Sequence, residues 1–289
     1  MRCLDSLEQQ TLPRDQYEII VVDDHSPDDT PEWMAKRTAV RYFRQPTNRG
    51  LPASRNVGIC EARSEWVLFL DDDLVLMPDV LEKHLQTHWD APGEQVAVLG
   101  HTRYAPGTEI TPFMNYLWDS GRSPLIDPAL VENPNDVPFG YLHTNTSVNR
   151  EFLIRVGMLD ETLPYGEDTE LAYRLKQNGM RLVFRKDILA DHYGTLTYAY
   201  ARRRAKIAGR TAILTHRKHP EWINIDFLNY GRKSRTAIQA RRVVAENILD
   251  PLLVAADERR LDHPLIRRAY RFALATHQLT AMLDEVNKN

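Results

Sequence analysis

Two continuous apolar runs, each ending in a cluster of carboxylates, constrain this chain more than any other feature. Glu18-Ile-Ile-Val-Val22 runs into Asp23-Asp24, and Trp66-Val-Leu-Phe-Leu70 runs into Asp71-Asp72-Asp73. Uninterrupted apolar, β-branched or aromatic segments of this length are the pattern of strands buried on both faces. Helical patterns separate them. Thr30-Pro31 supplies an N-cap and first-turn proline for a helix over 31–38, and further helices are expected over 52–62 and 78–89. Short strands are expected at 40–43, 95–100 and 181–184, and a helix over 167–178 closes on Gly179. This alternation predicts an α/β, Rossmann-like domain over residues 1–195, with a mostly parallel sheet flanked by helices. Beyond Leu196 no strand pattern remains; 197–218, 236–249 and 264–286 read as helices, so residues 196–289 are expected to form an α-helical C-terminal extension.

In open α/β sheets ligands bind past the carboxyl ends of the strands, where both carboxylate clusters fall. Side chains alternate along an extended segment, so Asp71 and Asp73 point to one side and Asp72 to the other. Three adjacent carboxylates repel one another unless a cation neutralises them, and a hard divalent ion such as Mg²⁺ or Mn²⁺ suits such a site. An acidic turn before a helix accounts for the same residues. Asp23 and Asp24 are candidates for hydrogen bonds to a base or ribose, or for plain turn chemistry. Arg55 lies in the first turns of a helix, where a diphosphate could be met by guanidinium and backbone amides together. Glu167 and Asp168 open another helix, either complementing its dipole or, for Asp168, serving as a general base. His192 follows an apolar run and is a candidate metal ligand.

Composition removes several classes of protein. The two cysteines cannot build a disulfide framework, which points to a reducing, cytoplasmic setting. No apolar run approaches the roughly 20 residues of a membrane span. The net charge of −3 conceals an asymmetry: residues 1–100 carry 18 acids against 10 bases, whereas 192–250 carry 12 bases against 4 acids. The segment 202–218 contains no acid and could lie peripherally on the inner face of a membrane, or form a solvated helix face. Nucleic acid is a poor fit, since no aromatic residues interleave with those bases in a binding pattern. Six of 17 prolines fall within 104–143, the mark of a functional loop; there Phe113, Tyr116, Trp118 and Tyr141 could stack on sugar rings or pack as core.

Taken in order, the motifs resemble a known family. They are Glu18-Ile-Ile-Val-Val-Asp-Asp24 with Ser26, Asn48-Arg-Gly50 with Ala53-Ser-Arg55-Asn56, and Phe69-Leu-Asp-Asp-Asp73. Asn145 to Arg150 with Gly157 to Glu161, and Gly166 to Leu175, complete the set. Together they resemble the family 2 nucleotide-sugar glycosyltransferases over roughly residues 1–195. The resemblance implies a GT-A fold and a metal-dependent, inverting transfer of a sugar from a nucleotide diphosphate, a UDP-sugar or else a GDP-sugar, to a glycan or lipid-linked acceptor. It implies nucleotide-sugar contacts from Asp23, Asp24, Arg55, Asp71 and Asp72, metal ligation by Asp73 with Asp71 and His192, and a catalytic base at Asp168 beside Glu167. The other reading is a non-catalytic nucleotide- or carbohydrate-binding module on the same scaffold. One departure is expected to matter: the family's first buried strand has no counterpart before the helix at Cys3, so unpaired ladder groups should face the middle of the sheet.

Overall fold

The computed structural model describes residues 2–121, 123, 125–138, 144–222 and 231–288. Two compact units emerge. The first comprises residues 1–107, 125–162 and 167–194; the second comprises 108–124, 163–166 and 195–289.

The first unit is built on seven strands. They are β1 (Ile19–Asp23), β2 (Val40–Arg44), β3 (Trp66–Phe69), β4 (Leu74–Leu76), β5 (Val96–Tyr104), β6 (Thr146–Asn149) and β7 (Arg181–His192). Around them lie α1 (Arg2–Glu8), α2 (Thr30–Met34), α3 (Leu51–Glu61), α4 (Val80–Trp89), α6 (Arg150–Arg155) and α7 (Glu167–Gln177), while α5 (Pro112–Asp119) falls in the second unit. Strands β1 and β2 form a parallel pair, and the other five make a sheet in the order β3-β6-β5-β7-β4.

The architecture is α/β as expected, but the sense of the strands is not mostly parallel. Only β1–β2 and β5–β7 pair parallel; β3–β6, β6–β5 and β7–β4 are antiparallel. The reason lies in two strands without the continuous apolar signature. β6 is Thr-Ser-Val-Asn, and β4 is three residues long, too short for its direction to be read from periodicity. β7 is also longer than expected, running through His192 rather than stopping at Phe184.

Side chains of the central strands alternate between two cores. Ala97, Leu99, Leu182 and Phe184 pack with Phe152, Leu153, Leu171 and Leu175 of α6 and α7. Val96, Val98 and Val183 pack on the other face with Leu7 and Val80 of α1 and α4. Burial on both faces explains why these strands read as unbroken apolar runs. Where β5 bulges, Gly100 is required. Its N–H donates to Asn145 O at 2.8 Å, and a Cβ there would meet the Asn145 side chain at 2.2 Å.

The ladder is interrupted between β1 and β3. Among the described residues each pairs on one side only, and their other edges face a groove of about 850 Å³ lined by Ile20, Val22, Val67 and Leu68. Deeper in that groove sits a buried polar cluster. Ser147 Oγ lies 2.8 Å from His84 Nδ1 and 2.7 Å from His88 Nε2, and Trp66 stacks on the His88 ring at 3.7 Å.

In the second unit α8 (Tyr198–Lys218) packs along α11 (Pro264–Val286). It also packs on α10 (Asp250–Glu258), which follows α9 (Gly231–Val244) after a π-helical turn, Ala245–Leu249. Phe113 and Tyr116 of α5 are core here, clustered with Tyr198 and Tyr270 rather than exposed for stacking, while Trp118 stays exposed; Tyr141 lies outside the described residues.

Burial lowers the pKa of both histidines in the groove cluster, to about 4 for His84 and about 3 for His88. An unfolded imidazole titrates near 6.5, so below that value the unfolded chain binds more protons than the folded one. Stability should be complete above about pH 6.5 and fall as pH drops, by up to about 1.4 kcal/mol per pH unit for each histidine. We expect the urea midpoint to decrease from pH 7 to pH 5, and the slope to flatten in a His84→Gln, His88→Gln variant. An unchanged midpoint across that interval would contradict the assignment.

Candidate active site

Helix α3 organises the site. Pro52 in its first turn and Gly50 ahead of it, with φ +89°, set its start, and its buried face carries Ala53 and Ile59. Its polar residues reach in three directions. Arg55, with only 13% of its side chain exposed, donates from Nη2 to Asp71 Oδ1 at 3.1 Å and from Nη1 to Glu167 Oε1 at 3.5 Å. Its guanidinium also lies 5.8 Å from the centre of the Phe69 ring. Asn56, buried, makes a two-way bond with the backbone of Leu159, both at 2.9 Å, and donates to Glu161 Oε1 at 3.0 Å.

The Asp71–Asp73 segment leaves the carboxyl end of β3 and turns into β4. Its three carboxylates part company. Asp71 is held by Arg55, and its backbone N–H donates to Thr144 Oγ1 at 2.8 Å. Asp72 is exposed. Asp73 turns to β7, where Leu74 pairs with His192 and the Tyr193 N–H donates to Asp73 O at 2.9 Å. That register brings His192 Nε2 to 3.2 Å from Asp73 Oδ2, and this hydrogen bond lowers the Asp73 pKa against the opposing effect of burial. The Gly194 N–H donates to His192 Nδ1 at 3.2 Å, and Nε2 is the ring nitrogen that faces Asp73. A Cβ at Gly194 would stand 2.3 Å from the His192 ring, so only glycine permits this approach.

Asp73 Oδ1 is shielded from solvent and has no hydrogen-bond partner among the described residues. An orphaned carboxylate oxygen next to an imidazole nitrogen is a donor set that fits one side of a hard divalent cation. Among the described residues no group of three or more His, Cys, Asp or Glu is arranged to hold a metal ion by itself. Asp73 and His192 stand side by side, while Asp71 Oδ1 accepts from Arg55.

The other expected residues are placed as follows. Asp23 is buried, accepts from the Ser26 N–H at 2.7 Å and the Tyr42 hydroxyl at 2.5 Å, and lies 3.5 Å from Arg44. Burial would raise its pKa, but these hydrogen bonds outweigh it and the carboxyl sits below its ordinary value, while Tyr42 is pushed up to about 12. Asp24 accepts from the backbone N–H groups of Arg49 and Gly50 and from Gln45 Nε2, all at 2.7 Å, and so holds the turn before α3. In α7, Glu167 is buried against Arg55. Asp168 is partly exposed, with Oδ1 taking the Thr169 N–H at 2.6 Å and hydroxyl at 3.2 Å.

Sequence reasoning missed Thr144 and Gly194, and named Glu161 only as part of a motif without a role. A lone threonine in a loop gives no pattern, although Gly194 two residues after a candidate ligand was a readable signal. Several bases of the acid-free run over 202–218 lie against acids of other helical segments. Arg202 lies 3.1 Å from Asp250, Lys206 2.9 Å from Glu246, and Arg210 3.2 Å from Glu285.

A sequence model described as glycosyl transferase family 2 matches residues 1–157. An uncharacterized glycosyltransferase of Haemophilus influenzae is 42% identical over 83 residues, which is 29% of this chain and 28% of that protein. The chain thus spans under a third of that curated relative. Among solved structures, Staphylococcus aureus TarS 1–349 in complex with UDP is 19% identical and superposes with a TM-score of 0.55 over 100% of this chain and 87% of that one. The mannosyltransferase PcManGT of Pyrobaculum calidifontis, in complex with GDP-Man and Mn²⁺, is 20% identical with a TM-score of 0.61 over 99% and 83%. The fold is that of these glycosyltransferase structures. No described helix is long and apolar enough to cross a membrane.

The three bonds of Asp24 make it a test of structure against binding. Asp24→Ala should lower stability by about 2 kcal/mol, the scale of several lost hydrogen bonds to backbone donors, measured by urea unfolding. A variant that unfolds like the parent but loses nucleotide affinity would assign Asp24 to the ligand instead.

Proposed function

The chain belongs to glycosyl transferase family 2, and from that premise we propose that it moves a sugar from a nucleotide diphosphate to a hydroxyl of a glycan or lipid-linked acceptor, with inversion at the anomeric carbon. The observation that carries this reading is the Asp73–His192 pair at the end of β3, with its unpartnered carboxylate oxygen. Asp73 and His192 would hold Mg²⁺ or Mn²⁺ together with the donor diphosphate; bound there, the ion would serve as a Lewis acid for the leaving group. The PcManGT structure with GDP-Man and Mn²⁺ and the TarS structure with UDP support a donor of this class.

The chain's own residues divide the remaining work. Arg55 brings a fixed positive charge to the same strand end, while its bonds to Asp71 and Glu167 tie β3 to the start of α7. Glu167 is thereby an orienting group. Asp168 has one oxygen occupied by Thr169, which leaves Oδ2 to accept the proton of the attacking hydroxyl. Single displacement needs no protein nucleophile. The hydroxyl oxygen forms the new bond as the bond to the diphosphate oxygen breaks. Asp72, which is exposed, would contact ribose or sugar hydroxyls.

Two substitutions separate binding from turnover. Asp73→Asn should abolish the Mn²⁺-dependent part of the thermal stabilisation by UDP or GDP. Asp168→Asn should keep that stabilisation and lower transfer by about 100-fold or more. Transfer at the parental rate in the Asp168 variant would remove it as base. Donor binding without turnover in the parent, insensitive to Mn²⁺, would instead favour a binding module.

A further inference from the structure

On α8, Arg202, Lys206, Arg210 and Arg217 lie against acids, and a second group of arginines lies elsewhere in the helical unit. Arg241, Arg268 and Arg271 line an open groove of about 540 Å³ between the α9–π-turn segment and α11, together with Leu249, Phe272 and Ala275. None of the three arginines makes an ion pair among the described residues. Arg241 stacks 4.6 Å over the Phe272 ring, and its Nε is shielded from solvent without a hydrogen-bond partner. The acids around this region are occupied. Glu246 is held by Lys206 and Arg242, Asp250 by Arg202 and Tyr198, and Asp262 by Arg267.

Beside the groove runs a stripe of exposed aliphatic side chains. Val244, Ile248 and Leu252 follow at four-residue steps and are 40%, 54% and 62% exposed, and Leu265 at the start of α11 is 63% exposed. Arg241 lies on the same stripe, one turn before Val244. Aliphatic side chains bordered by unpaired arginines form the pattern of an interfacial surface. The apolar groups enter below the headgroups while the guanidinium groups stay at phosphate level. A second copy of the chain is a poor occupant, because an isologous contact would set these arginines against themselves. A nucleic acid would find phosphate partners but leave Ile248, Leu252 and Leu265 in water.

We propose that this face of the helical unit docks on a bilayer rich in anionic phospholipid, with Arg241, Arg268 and Arg271 against lipid phosphates and Ile248, Leu252 and Leu265 inserted at the headgroup–acyl boundary. This surface differs from the basic run over 202–218 and does not depend on the transferase reading.

The test is cosedimentation of the full chain with phosphatidylglycerol–phosphatidylcholine vesicles and with phosphatidylcholine vesicles alone. The parent should bind only the anionic vesicles, and added inorganic phosphate should leave binding in place. Arg268→Glu with Arg271→Glu should weaken binding by about tenfold or more, as should Ile248→Ser with Leu252→Ser, while Arg203→Glu on α8 should leave it near parental. Circular dichroism and melting midpoints identify any variant that fails to fold; the two pairs of substitutions act independently, so either one that folds decides the matter. The proposal is overturned by a parent that stays in the supernatant, by a folded variant of either pair that binds like the parent, or by displacement with inorganic phosphate. Self-association in sedimentation velocity that Ile248→Ser with Leu252→Ser removes would assign the face to a second copy instead.

Discussion

The placement of Arg55 between Asp71 and Glu167 is the constraint on which the rest of the site depends. A guanidinium this far from solvent is costly unless charged partners satisfy it, and these two carboxylates come from a strand end and a helix start far apart in the chain. Removing both would leave a buried charge uncompensated. The contact therefore fixes where α7 begins relative to β3, and with it the position of Asp168 one residue on. It also explains why three adjacent aspartates coexist. Asp71 is neutralised by Arg55, Asp73 faces an imidazole, and Asp72 is left to water. Mutual repulsion is relieved by dispersing the three carboxylates among different partners.

The backbone makes that dispersal possible. A three-residue strand, β4, follows the aspartates at once, and its antiparallel pairing with the end of β7 sets Leu74 opposite His192. The side chain one position before Leu74 is Asp73, so the register itself brings carboxylate and imidazole together. The glycine at 194 closes the arrangement from the far side of the ring. A slip of one residue in this short ladder would carry His192 to the opposite face of the sheet. Rigid pairing thus positions the two groups of greatest chemical interest, while the loop ahead of α3 is held by Asp24 through backbone donors.

Much of this was legible in the sequence, and the rest was hidden for physical reasons. Strands buried on both faces announce themselves by continuous apolar runs, so β1, β3, β5 and the first part of β7 were readable. Carboxylates directly after them marked the edge where the candidate site is assembled. Strand direction was not readable, because β6 is polar and β4 is too short to carry a period. Ion-pair partners were not readable either. The run over 202–218 looks like an isolated basic surface until α10 and α11 bring Asp250 and Glu285 against it. Charge counted along a chain says nothing about the charge that folding places across from it. The aromatic residues of α5 were ambiguous for the same reason, since core and sugar platform demand the same side chains.

The helical unit shows how this distinction bears on function. Its interior holds a polar centre in which the Tyr198 hydroxyl donates to Asp250 at 2.6 Å and His277 Nε2 stands 2.9 Å from the same oxygen. Such a centre costs stability relative to an apolar core, yet it orients α8, α10 and α11 through directional bonds that hydrophobic contact alone does not supply. With those helices oriented, four bases of α8 lie against acids, and Arg241, Arg268 and Arg271 of α9 and α11 line an open groove near exposed aliphatic groups. Paired charges of this kind fix helix orientation, and unpaired charges beside apolar surface remain available for a partner. On that criterion α9, the π-helical turn and α11 combine charge with apolar surface, whereas the longest basic run in the sequence, on α8, is in part tied to acids.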